Sequence, residues 1–598
     1  MIEKMTRYDF ILLSGEEGPF LAQLQEAGLV DITRSVKPAD EPSRELASEI
    51  ELLDGLIQAI RKTEIPEGIR PVSFSGEGSE DLPRLAGGTL MCLSQAQTEV
   101  QALRKQLADS QIWGSFSPAV VKELSDAGVP LHFHRVSLRE YQEDWAEECV
   151  LSEIARDKTS VYFVVAGDDP LPGVIPAPQA DAGETEAKLQ QKEQELETLL
   201  GEVLLLKERL PELQRLRAEA YARLDLRLAG AAATPAAEDT IVTLTGYAPE
   251  EQETAVTEAL ERSGVFYIKD KAKAADNPPI ELKNNKFVKM FEVLTDMYGR
   301  PAYDGFDPTP FIAVFFLLFF AFCMGDCGYG LVLIVIGLLL KKVDSFKSLA
   351  PLVITLGAGT AVIGFLFHTF FSIDISTWTL FAPIKGIFLP AKIAGYDGTM
   401  ILSIIVGVVH ICLAMVVKTY QETRNKGFLN ALGTWGWTLL IVGGVAVGAL
   451  ALVGVLDKAV TKWIVIVLGV VSALGIFVFN DLHRNKLMNV GVGLWETYNT
   501  ATGLIGDVLS YLRLYALGLA GSMLGLAFNS IGKMILGDGS NALLWIPFIL
   551  IVVIGHTLNI AMAALGAFVH PLRLNFLEFF KNSGYEGSGR SYNPLKKL

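Results

Sequence analysis

The chain has 598 residues, with 67 acidic and 51 basic side chains, and its formal net charge is −16. This balance argues against a nucleic-acid partner, because phosphate binding is driven by clustered Lys and Arg. Half of the residues are hydrophobic, and they are distributed unevenly. Residues 1–300 are rich in charged side chains, whereas residues 309–577 are mostly long apolar runs. We therefore expect a cytoplasmic arm, residues 1–300, followed by a transmembrane domain, residues 301–598.

The five cysteines are scattered and odd in number, which does not suggest a disulfide framework. Cys323 and Cys327 lie four residues apart in an apolar stretch, and we interpret them as core cysteines rather than metal ligands. The first ten residues lack the charged-then-apolar pattern of a signal peptide. The N-terminal half should therefore remain in the cytoplasm, and no metal or cofactor is expected.

The first half alternates strand–helix–strand patterns with long helical patterns. The strand–helix–strand patterns predict small α/β lobes at residues 8–34, 118–166 and 240–269. Three helical segments between them carry apolar residues at alternating spacings of three and four, which is typical of a coiled-coil seam. The seam residues are Leu46, Ile50, Leu53, Ile57 and Ile60; Leu93, Ala96, Val100, Leu103 and Leu107; and Leu196, Leu199, Val203, Leu206, Leu210 and Leu213.

One such segment alone would be an ordinary amphipathic helix, but three indicate helices that run out and back. We therefore predict an α+β arm in which two small α/β lobes are joined by an antiparallel coiled coil. Pro211 is expected to kink the longest helix, residues 184–229. No phosphate-binding loop, zinc-protease motif or nucleophile elbow occurs in the sequence, so the chain itself is not expected to be an enzyme.

The second half predicts an α-helical polytopic domain of about eight transmembrane helices. The apolar segments are 309–324, 327–340, 350–371, 399–417, 430–456, 462–480, 499–532 and 542–571. A structural turn within the membrane is favoured between the first two apolar segments, because Gly325, Asp326 and Gly328 lie there.

The distribution of basic residues between the loops supports a cytoplasmic N-terminus. The loops predicted inside carry Lys341, Lys342, Lys347, Lys418, Arg424, Lys426, Arg484 and Lys486, and those predicted outside carry Lys385, Lys392, Lys458, Lys462 and Lys533. Eight basic residues in the inside loops against five in the outside loops is a modest bias. Both chain ends are then expected on the cytoplasmic side.

Arg513 lies near the middle of the apolar stretch Asn499–Phe528. A guanidinium at that depth costs about 2.5–3.5 kcal/mol even on insertion scales, and it does not escape the cost by losing its proton. Small and polar side chains share its helical face within about 80°: Asn499, Gly503, Gly506 and Ser510. This face predicts the wall of a water-accessible path; an arginine that reaches the headgroups or packs between helices is the alternative.

The last apolar segment repeats this arrangement. Asn559 and Arg573 are 14 residues apart, so their side chains lie about 40° apart around the helix axis. His556 and His570 have the same spacing and the same angle. Arg573 is near the predicted cytoplasmic end, where a side chain reaching the membrane surface is also a reasonable interpretation. His368 and His410 are lone histidines in apolar surroundings, where a hydrogen-bonded packing role is the commoner one.

Four blocks of sequence resemble the large membrane subunit of V-type and archaeal A-type rotary ATPases, called subunit a or subunit I. They are IELKNNKFVKMFEVLTDMYGRPAYDGFDPTPFIAVF (280–315), MGDCGYG (324–330), SYLRLYALGLA (510–520) and HTLNIAMAALGAFVHPLRLNFLEFF (556–580). The resemblance is strong over residues 280–598, and it is closest to bacterial or archaeal members. One departure lies before the D-P-T run, where the family usually has an acidic residue. Asp304, three residues before Asp307, stands nearest that place.

The resemblance implies a non-catalytic stator subunit that moves H⁺ or Na⁺ past a rotating c/K ring, coupled to ATP hydrolysis or synthesis. Arg513, carried over from S-Y-L-R-L, would meet each ring carboxylate between two aqueous half-channels, and Arg573, from H-P-L-R-L, would support that contact. The candidate half-channel groups are Glu496, Asn499, Asp507, Ser510, His556, Asn559 and His570. No acid of this chain is obviously placed to pair with Arg513, with Asp326 the nearest by depth.

The resemblance also implies partners and a location. The arm would bind peripheral-stalk subunits of the E/G type, with central-stalk subunits as further partners, and the chain would be a multi-pass protein of the plasma membrane. Two other functions remain open: a secondary ion transporter with a regulatory coiled-coil arm, and a membrane tether whose arginines only anchor helices. A transporter often shows two similar halves, and no such repeat is evident.

Overall fold

The computed structural model describes the chain except for 35–39, 75–80, 115–117, 168–170, 177–181, 237–239, 344–345, 378–385, 387, 391, 394, 480–485, 538–540 and 598. Lys385 and Arg484, which contributed to the predicted loop bias, lie outside the described residues. The chain forms two compact units. One contains Met1–Ile11, Leu29–Ile32 and Thr245–Pro594, and the other contains Leu12–Gly28, Thr33–Leu244 and Leu595–Leu598. The division near residue 300, between cytoplasm and membrane, stays a prediction.

The described strands form two larger sheets and two short hairpins. They are β1 Met5–Leu13, β2 Asp31–Ile32, β3 Leu131–Ser137, β4 Val150–Arg156, β5 Ser160–Ala166, β6 Val174–Ile175, β7 Thr234–Ala236, β8 Ile241–Pro249, β9 Phe266–Lys271, β10 Thr369–Phe370, β11 Ile373–Asp374, β12 Lys392–Ile393 and β13 Tyr396–Asp397. One sheet has the order β2-β8-β1-β9, with β7 on β8, and the other has the order β4-β5-β3-β6. β1 and β9 pair antiparallel with Phe10 opposite Tyr267, and the side chains of Tyr8 and Phe10 are buried.

Ten helices precede the apolar half in the described residues. They are α1 Glu17–Ala27, α2 Glu41–Lys62, α3 Leu82–Gln111, α4 Pro118–Asp126, α5 Trp145–Glu148, α6 Ala182–Glu208, α7 Leu210–Gly230, α8 Glu253–Ser263, α9 Lys286–Lys289 and α10 Glu292–Tyr298. The predicted helix over 184–229 is two helices, because Pro211, at the start of α7, cannot donate the backbone hydrogen bond that would continue α6.

The seam residues pack helices α2 and α3 against α7 and α6. Ile50, Leu53, Ile57 and Ile60 of α2 are buried in one cluster with Leu213 of α7. Charged pairs along the outer faces show the direction of the helices: Arg217 with Asp54, Arg223 with Glu49 and Arg227 with Asp40. The partner number falls as the arginine number rises, so α2 and α7 are antiparallel. Apolar burial stabilises this pair, since exposed ion pairs contribute about 0–1 kcal/mol each.

The apolar half contains the remaining helices. They are α11 Thr309–Met324, α12 Cys327–Leu340, α13 Ala350–Leu366, α14 Gly398–Lys426, α15 Leu432–Thr438, α16 Gly444–Leu452, α17 Lys458–Phe477, α18 Lys486–Ser510, α19 Leu512–Leu536, α20 Trp545–Arg573 and α21 Phe580–Ser583. π-Helical segments join α15 to α16 at Leu439–Gly443 and α20 to α21 at Leu574–Phe579.

In the part of the chain that the structure describes, five continuous helical stretches are long and apolar enough to cross a membrane. The three others, α11, α12 and α13, have 14–17 residues. At 1.5 Å per residue they are about 21–26 Å long, less than the hydrocarbon thickness of about 30 Å. Each of the eight apolar segments thus corresponds to a helical stretch, and the number of crossings stays a prediction.

Helices α12 and α13 approach each other through glycines. A Cβ added to Gly364 would lie 2.2 Å from the Cys327 nitrogen, and one added to Gly330 would lie 2.4 Å from the Ala361 nitrogen. Small residues allow two backbones to come this close, and the resulting van der Waals packing stabilises helix pairs in a membrane. The pair packs beside a large aromatic cluster that contains Phe316 and Phe319 of α11.

The stretch 499–528, predicted as one apolar helix, is interrupted. α18 ends at Ser510 and α19 begins at Leu512. Tyr511 lies between them with an αR backbone, φ −74° and ψ −17°, but its N–H donates to the Val508 oxygen, one residue short of the α-helical partner. The fully buried Tyr511 ring occupies this one-residue irregularity, and the helical stretch as a whole continues from Met488 to Leu536.

Substitution of Gly364 tests the close approach of α12 and α13. Gly364→Ala should lower the free energy of unfolding by about 1–3 kcal/mol, because the added methyl group has no room. The matched control is Gly448→Ala in α16, where a Cβ meets no atom within 4 Å. Thermal unfolding of the purified subunit in detergent measures both; equal midpoints for the two variants would contradict the packing.

Candidate functional site

The Arg513 guanidinium has one nitrogen buried without a partner. Arg513 is the second residue of α19, and its side chain is half-buried. Its Nη1 atom is inaccessible to solvent and has no hydrogen-bond partner among the described residues. A buried donor without a partner costs about 1–3 kcal/mol, and more when it is charged. This unsatisfied cation is the feature around which the candidate site is described.

Helix α20 brings His570 and Arg573 to the same place. The His570 imidazole interacts electrostatically with both Arg513 and Arg573, and its Nδ1 atom is buried without a hydrogen-bond partner in the described structure. Arg573, the last residue of α20, is exposed. The two arginines predicted from sequence therefore both lie near one histidine, and the like charges of the pair favour an incoming anion.

The sequence analysis did not single out Glu578, the buried acid near Arg513. Its side chain is 4% exposed, Ser510 lies beside its carboxylate, and it interacts electrostatically with Asp507 and Arg513. Its Oε2 atom has no hydrogen-bond partner among the described residues. An acid within the apolar run LNFLEFF was a visible signal, but its inward direction depends on the π-helix at Leu574–Phe579, which propensity does not predict.

Asp507, by contrast, is already paired. Both carboxylate oxygens lie 3.3 Å from the Lys581 Nζ atom, and the Asn582 amide donates to Oδ2 at 2.8 Å. Ser510, the next polar residue of α18, donates its hydroxyl to the Gly506 oxygen. The two acids near Arg513 thus differ: Asp507 is neutralised by a cation, whereas Glu578 retains a free oxygen.

A cavity of about 430 Å³ opens on this side of Arg513, and we call it the 496–507 cavity. Among its lining residues are Glu496, Asn499 and Asp507 of α18, Lys418 of α14, Thr434 of α15, and Lys581. Three of the candidate half-channel residues therefore line one space. Most of these side chains are polar or charged, so the cavity can hold water.

A second cavity, of about 200 Å³, lies beyond Arg513 along α19, and we call it the 514–522 cavity. Its lining includes Leu514, Gly518 and Ser522 of α19, Ser403 of α14, and His368, Thr369 and Asp397 of the neighbouring loops. His368 also lies 3.1 Å from the Asp374 carboxylate. This cavity was not predicted, because its polar groups come from distant segments of the chain.

His556 and Asn559 form a separate buried network. His556 is 2.8 Å from the Tyr329 hydroxyl through Nδ1 and 3.0 Å from the Asn529 oxygen through Nε2. The Asn529 amide donates to the Phe371 oxygen, and the Asn559 amide donates to the Tyr329 hydroxyl and the Gly521 oxygen. Both ends of this network are amides, and the half-channel role of His556 and Asn559 stays a prediction.

Asp326 is not the partner of Arg513. Gly325, with φ +54°, ends α11. The Asp326 carboxylate accepts hydrogen bonds from backbone N–H groups of two separate segments. The donors are Gly328 and Tyr329 at the start of α12, and Phe371 and Ser372 from the loop after α13. A Cβ at Gly328 would collide with the Phe371 ring. The three residues of the expected turn therefore tie two loops together.

Among the described residues, no group of three His, Cys, Asp or Glu side chains could hold a metal ion. Arg513 lies near charged and titratable groups of the 496–507 cavity, whereas the 514–522 cavity has a mostly apolar lining with a few polar groups. Such an arrangement can bind and release a proton or a small cation, and it can stabilise an anion that arrives between the arginines.

Comparisons with known proteins show what this chain is similar to. A family model described as the V-type ATPase 116kDa subunit family matches residues 177–349 and 496–597, which include both arginines, His570 and Glu578. The A-type ATP synthase subunit I of Pyrococcus abyssi is 32% identical over 368 residues, 59% of this chain and 53% of the relative. That of Methanocaldococcus jannaschii is 30% identical over 348 residues, 53% of this chain and 49% of the relative. The chain thus spans about half the length of these archaeal relatives.

A bacterial relative matches over its whole length. The V-type ATP synthase subunit I of Borreliella burgdorferi is 25% identical over 626 residues, which cover 100% of both chains. A crystal structure of the cytoplasmic N-terminal domain of subunit I, homologue of subunit a of V-ATPase, is 16% identical and covers 45% of this chain and 100% of its own, with a TM-score of 0.20. By the matched blocks and the curated relatives, the chain is similar to the V-type ATPase 116kDa subunit family and to subunit I of A-type and V-type ATP synthases.

Proposed function

We propose that this chain is the membrane stator subunit of a V/A-type rotary ATPase and forms two ion half-channels that meet at Arg513. The observation that carries the proposal is the place of Arg513 along the chain between two cavities, one lined by α18 residues from 496 to 507 and the other by α19 residues from 514 to 522. The unpaired Nη1 atom supports it, because the energetic cost of that atom is relieved when an anion from another chain arrives.

The mechanism follows from the charge of the guanidinium. A carboxylate on a rotating ring is neutral while it faces lipid, since an unpaired charge there is costly. At about 4 Å from Arg513, its ionised form gains about 4 kcal/mol at an effective dielectric constant of 20. The carboxylate therefore releases its ion beside Arg513 and takes up another one after passing it. Arginine suits this role because it stays protonated when buried, unlike lysine.

Residues near Arg513 have assignable roles in this scheme. Arg573 extends the positive region, with His570 beside both arginines. Glu578, with its free Oε2 atom, is the group that would exchange ions between the 496–507 cavity and the ring. We place that cavity on the cytoplasmic side, because Lys418 and Lys581 line it and the adjacent α14 end carries Arg424 and Lys426. The 514–522 cavity would open to the other side of the plasma membrane.

The helices of the arm fit the second requirement of a stator, which is resistance to torque. α2 with α7, and α3 with α6, form antiparallel pairs with continuous apolar seams. We assign the binding of E/G-type peripheral-stalk subunits to this arm, and central-stalk subunits are further partners. The chain itself supplies no catalytic group for ATP chemistry in this scheme.

Replacement of Arg513 tests the proposal. In membrane vesicles that contain the assembled complex, Arg513→Lys and Arg513→Gln should lower ATP-driven ion uptake by more than about 100-fold, because the loss of a contact worth about 4 kcal/mol is large. The matched control is Lys533→Gln, which removes an exposed cation from the last turn of the same helix. Uptake that survives in both Arg513 variants, with the complex intact, would show that the assigned role is wrong.

Labelling from the two sides of the membrane tests the cavities. In a chain without its five native cysteines, Asn499→Cys should react with a membrane-impermeant maleimide only from the cytoplasmic side, and Ser522→Cys only from the other side, since thiols react as thiolates in water. The matched control is Ile505→Cys, on the exposed apolar face of α18, which should react from neither side. Labelling of both cavity positions from the same side would contradict two separate half-channels.

A further inference from the structure

His410 of α14 contacts both arginine-bearing helices. Its side chain is 0% exposed. Its Nδ1 atom shares a hydrogen bond of 2.9 Å with the Tyr511 hydroxyl, and its ring stacks on Phe579 with centroids 4.7 Å apart and planes 9° from parallel. Tyr511 is two residues before Arg513, and Phe579 is six residues after Arg573. One imidazole therefore ties together the segments that carry the two arginines.

Tyr511 is fixed from several directions. A Cβ at Gly407 of α14 would lie 2.3 Å from the Tyr511 ring, so that only glycine leaves room for it. The Phe319 ring packs against Tyr511 with centroids 5.7 Å apart. Tyr511 occupies the interruption between α18 and α19. Because the helix changes its hydrogen bonding at this residue, the position of the Tyr511 ring determines how Arg513 is directed.

The surroundings of His410 exclude a proton-carrying role for it. Its Nε2 atom is buried without a hydrogen-bond partner in the described structure, and its other close neighbours are the rings of Phe315 and Phe319. A protonated imidazole would leave a charged N–H group among hydrocarbon rings, which is costly. His410 is therefore neutral, and its role is one of geometry.

We propose that His410 is a positioning residue for Arg513, which acts by holding the helix interruption at Tyr511 against the π-helical segment after Arg573. The hydrogen bond to Tyr511 fixes the position of the ring that precedes Arg513. The stacking on Phe579 fixes the position of the segment that contains Glu578. A small displacement of a reacting group is enough to lower a rate strongly. This inference rests on the proposed function, because it concerns the placement of the residue that meets the ring.

The test uses vesicles with the complete complex and two variants that remove the same hydrogen bond from opposite ends, His410→Phe and Tyr511→Phe. His410→Phe retains a ring to stack on Phe579. Tyr585→Phe is the matched control, since it removes a buried tyrosine hydroxyl that donates to the Gly299 oxygen in another part of the same unit. ATP-driven uptake is measured with a pH-sensitive dye and with radioactive sodium, together with ATP hydrolysis by the same vesicles.

We expect each variant to lower the number of ions taken up per ATP by about tenfold, while the double variant falls no further and Tyr585→Phe is unchanged. A purely structural bond would lower the amount of assembled complex without changing ions per ATP, and that result would overturn the proposal. Additive losses in the double variant would overturn it as well. If His410→Phe does not assemble, Tyr511→Phe alone decides between these outcomes.

Arg513→Gln, measured alongside, separates this inference from the proposed function. If Arg513→Gln abolishes uptake while His410→Phe and Tyr511→Phe leave ions per ATP unchanged, only the positioning role of His410 is wrong. If uptake survives Arg513→Gln, the proposed function fails, and the positioning role fails with it.

Discussion

A guanidinium that stays charged and has a buried nitrogen without a partner is the constraint on which this site depends. The cost of an unsatisfied charged donor, more than about 1–3 kcal/mol, must be offset by the packing of the surrounding helices or by a partner from outside the chain. The Nη1 atom of Arg513 has no hydrogen-bond partner among the described residues. Two nearby acids are bound to other groups, and a third interacts with Arg513 without forming an ion pair. Asp326 is bound to four backbone N–H groups, Asp507 is paired with Lys581, and Glu578 interacts with Arg513 without pairing.

The helices around Arg513 depart from regularity at the residues that define the site. Tyr511 interrupts the α18–α19 helix two residues before Arg513, and the π-helix at Leu574–Phe579 follows Arg573 directly. Irregular helical turns at functional positions are common, because they direct side chains in ways that a regular helix does not allow. Here the two irregularities are joined through His410.

The sequence was informative where one segment decides the outcome. The spacing of Ile50, Leu53 and Ile57 predicted the seam that the structure buries, and Gly325 with Asp326 predicted where α11 ends. It failed where distant segments meet. Tyr511 lies between α18 and α19 with its ring against Gly407 of α14, and the buried Glu578 lies in the π-helical segment after Arg573. Local propensity contains neither effect. His556 and Asn559, which the family resemblance suggests as half-channel residues, form a hydrogen-bond network with Tyr329 and Asn529 that the sequence does not show.

Cross-linking during turnover tests most directly whether Arg513 meets the carboxylates of a moving partner. Ala516 is exposed on α19, one turn beyond Arg513 and on a nearby face, whereas Leu519 is exposed on a different face. A cysteine at Ala516, paired with a cysteine next to the ring carboxylate, should form a disulfide that stops ATP-driven ion uptake until it is reduced. A cysteine at Leu519 should form little. No cross-link at Ala516 in a complex that is hydrolysing ATP, or equal cross-linking at both positions, would contradict the account.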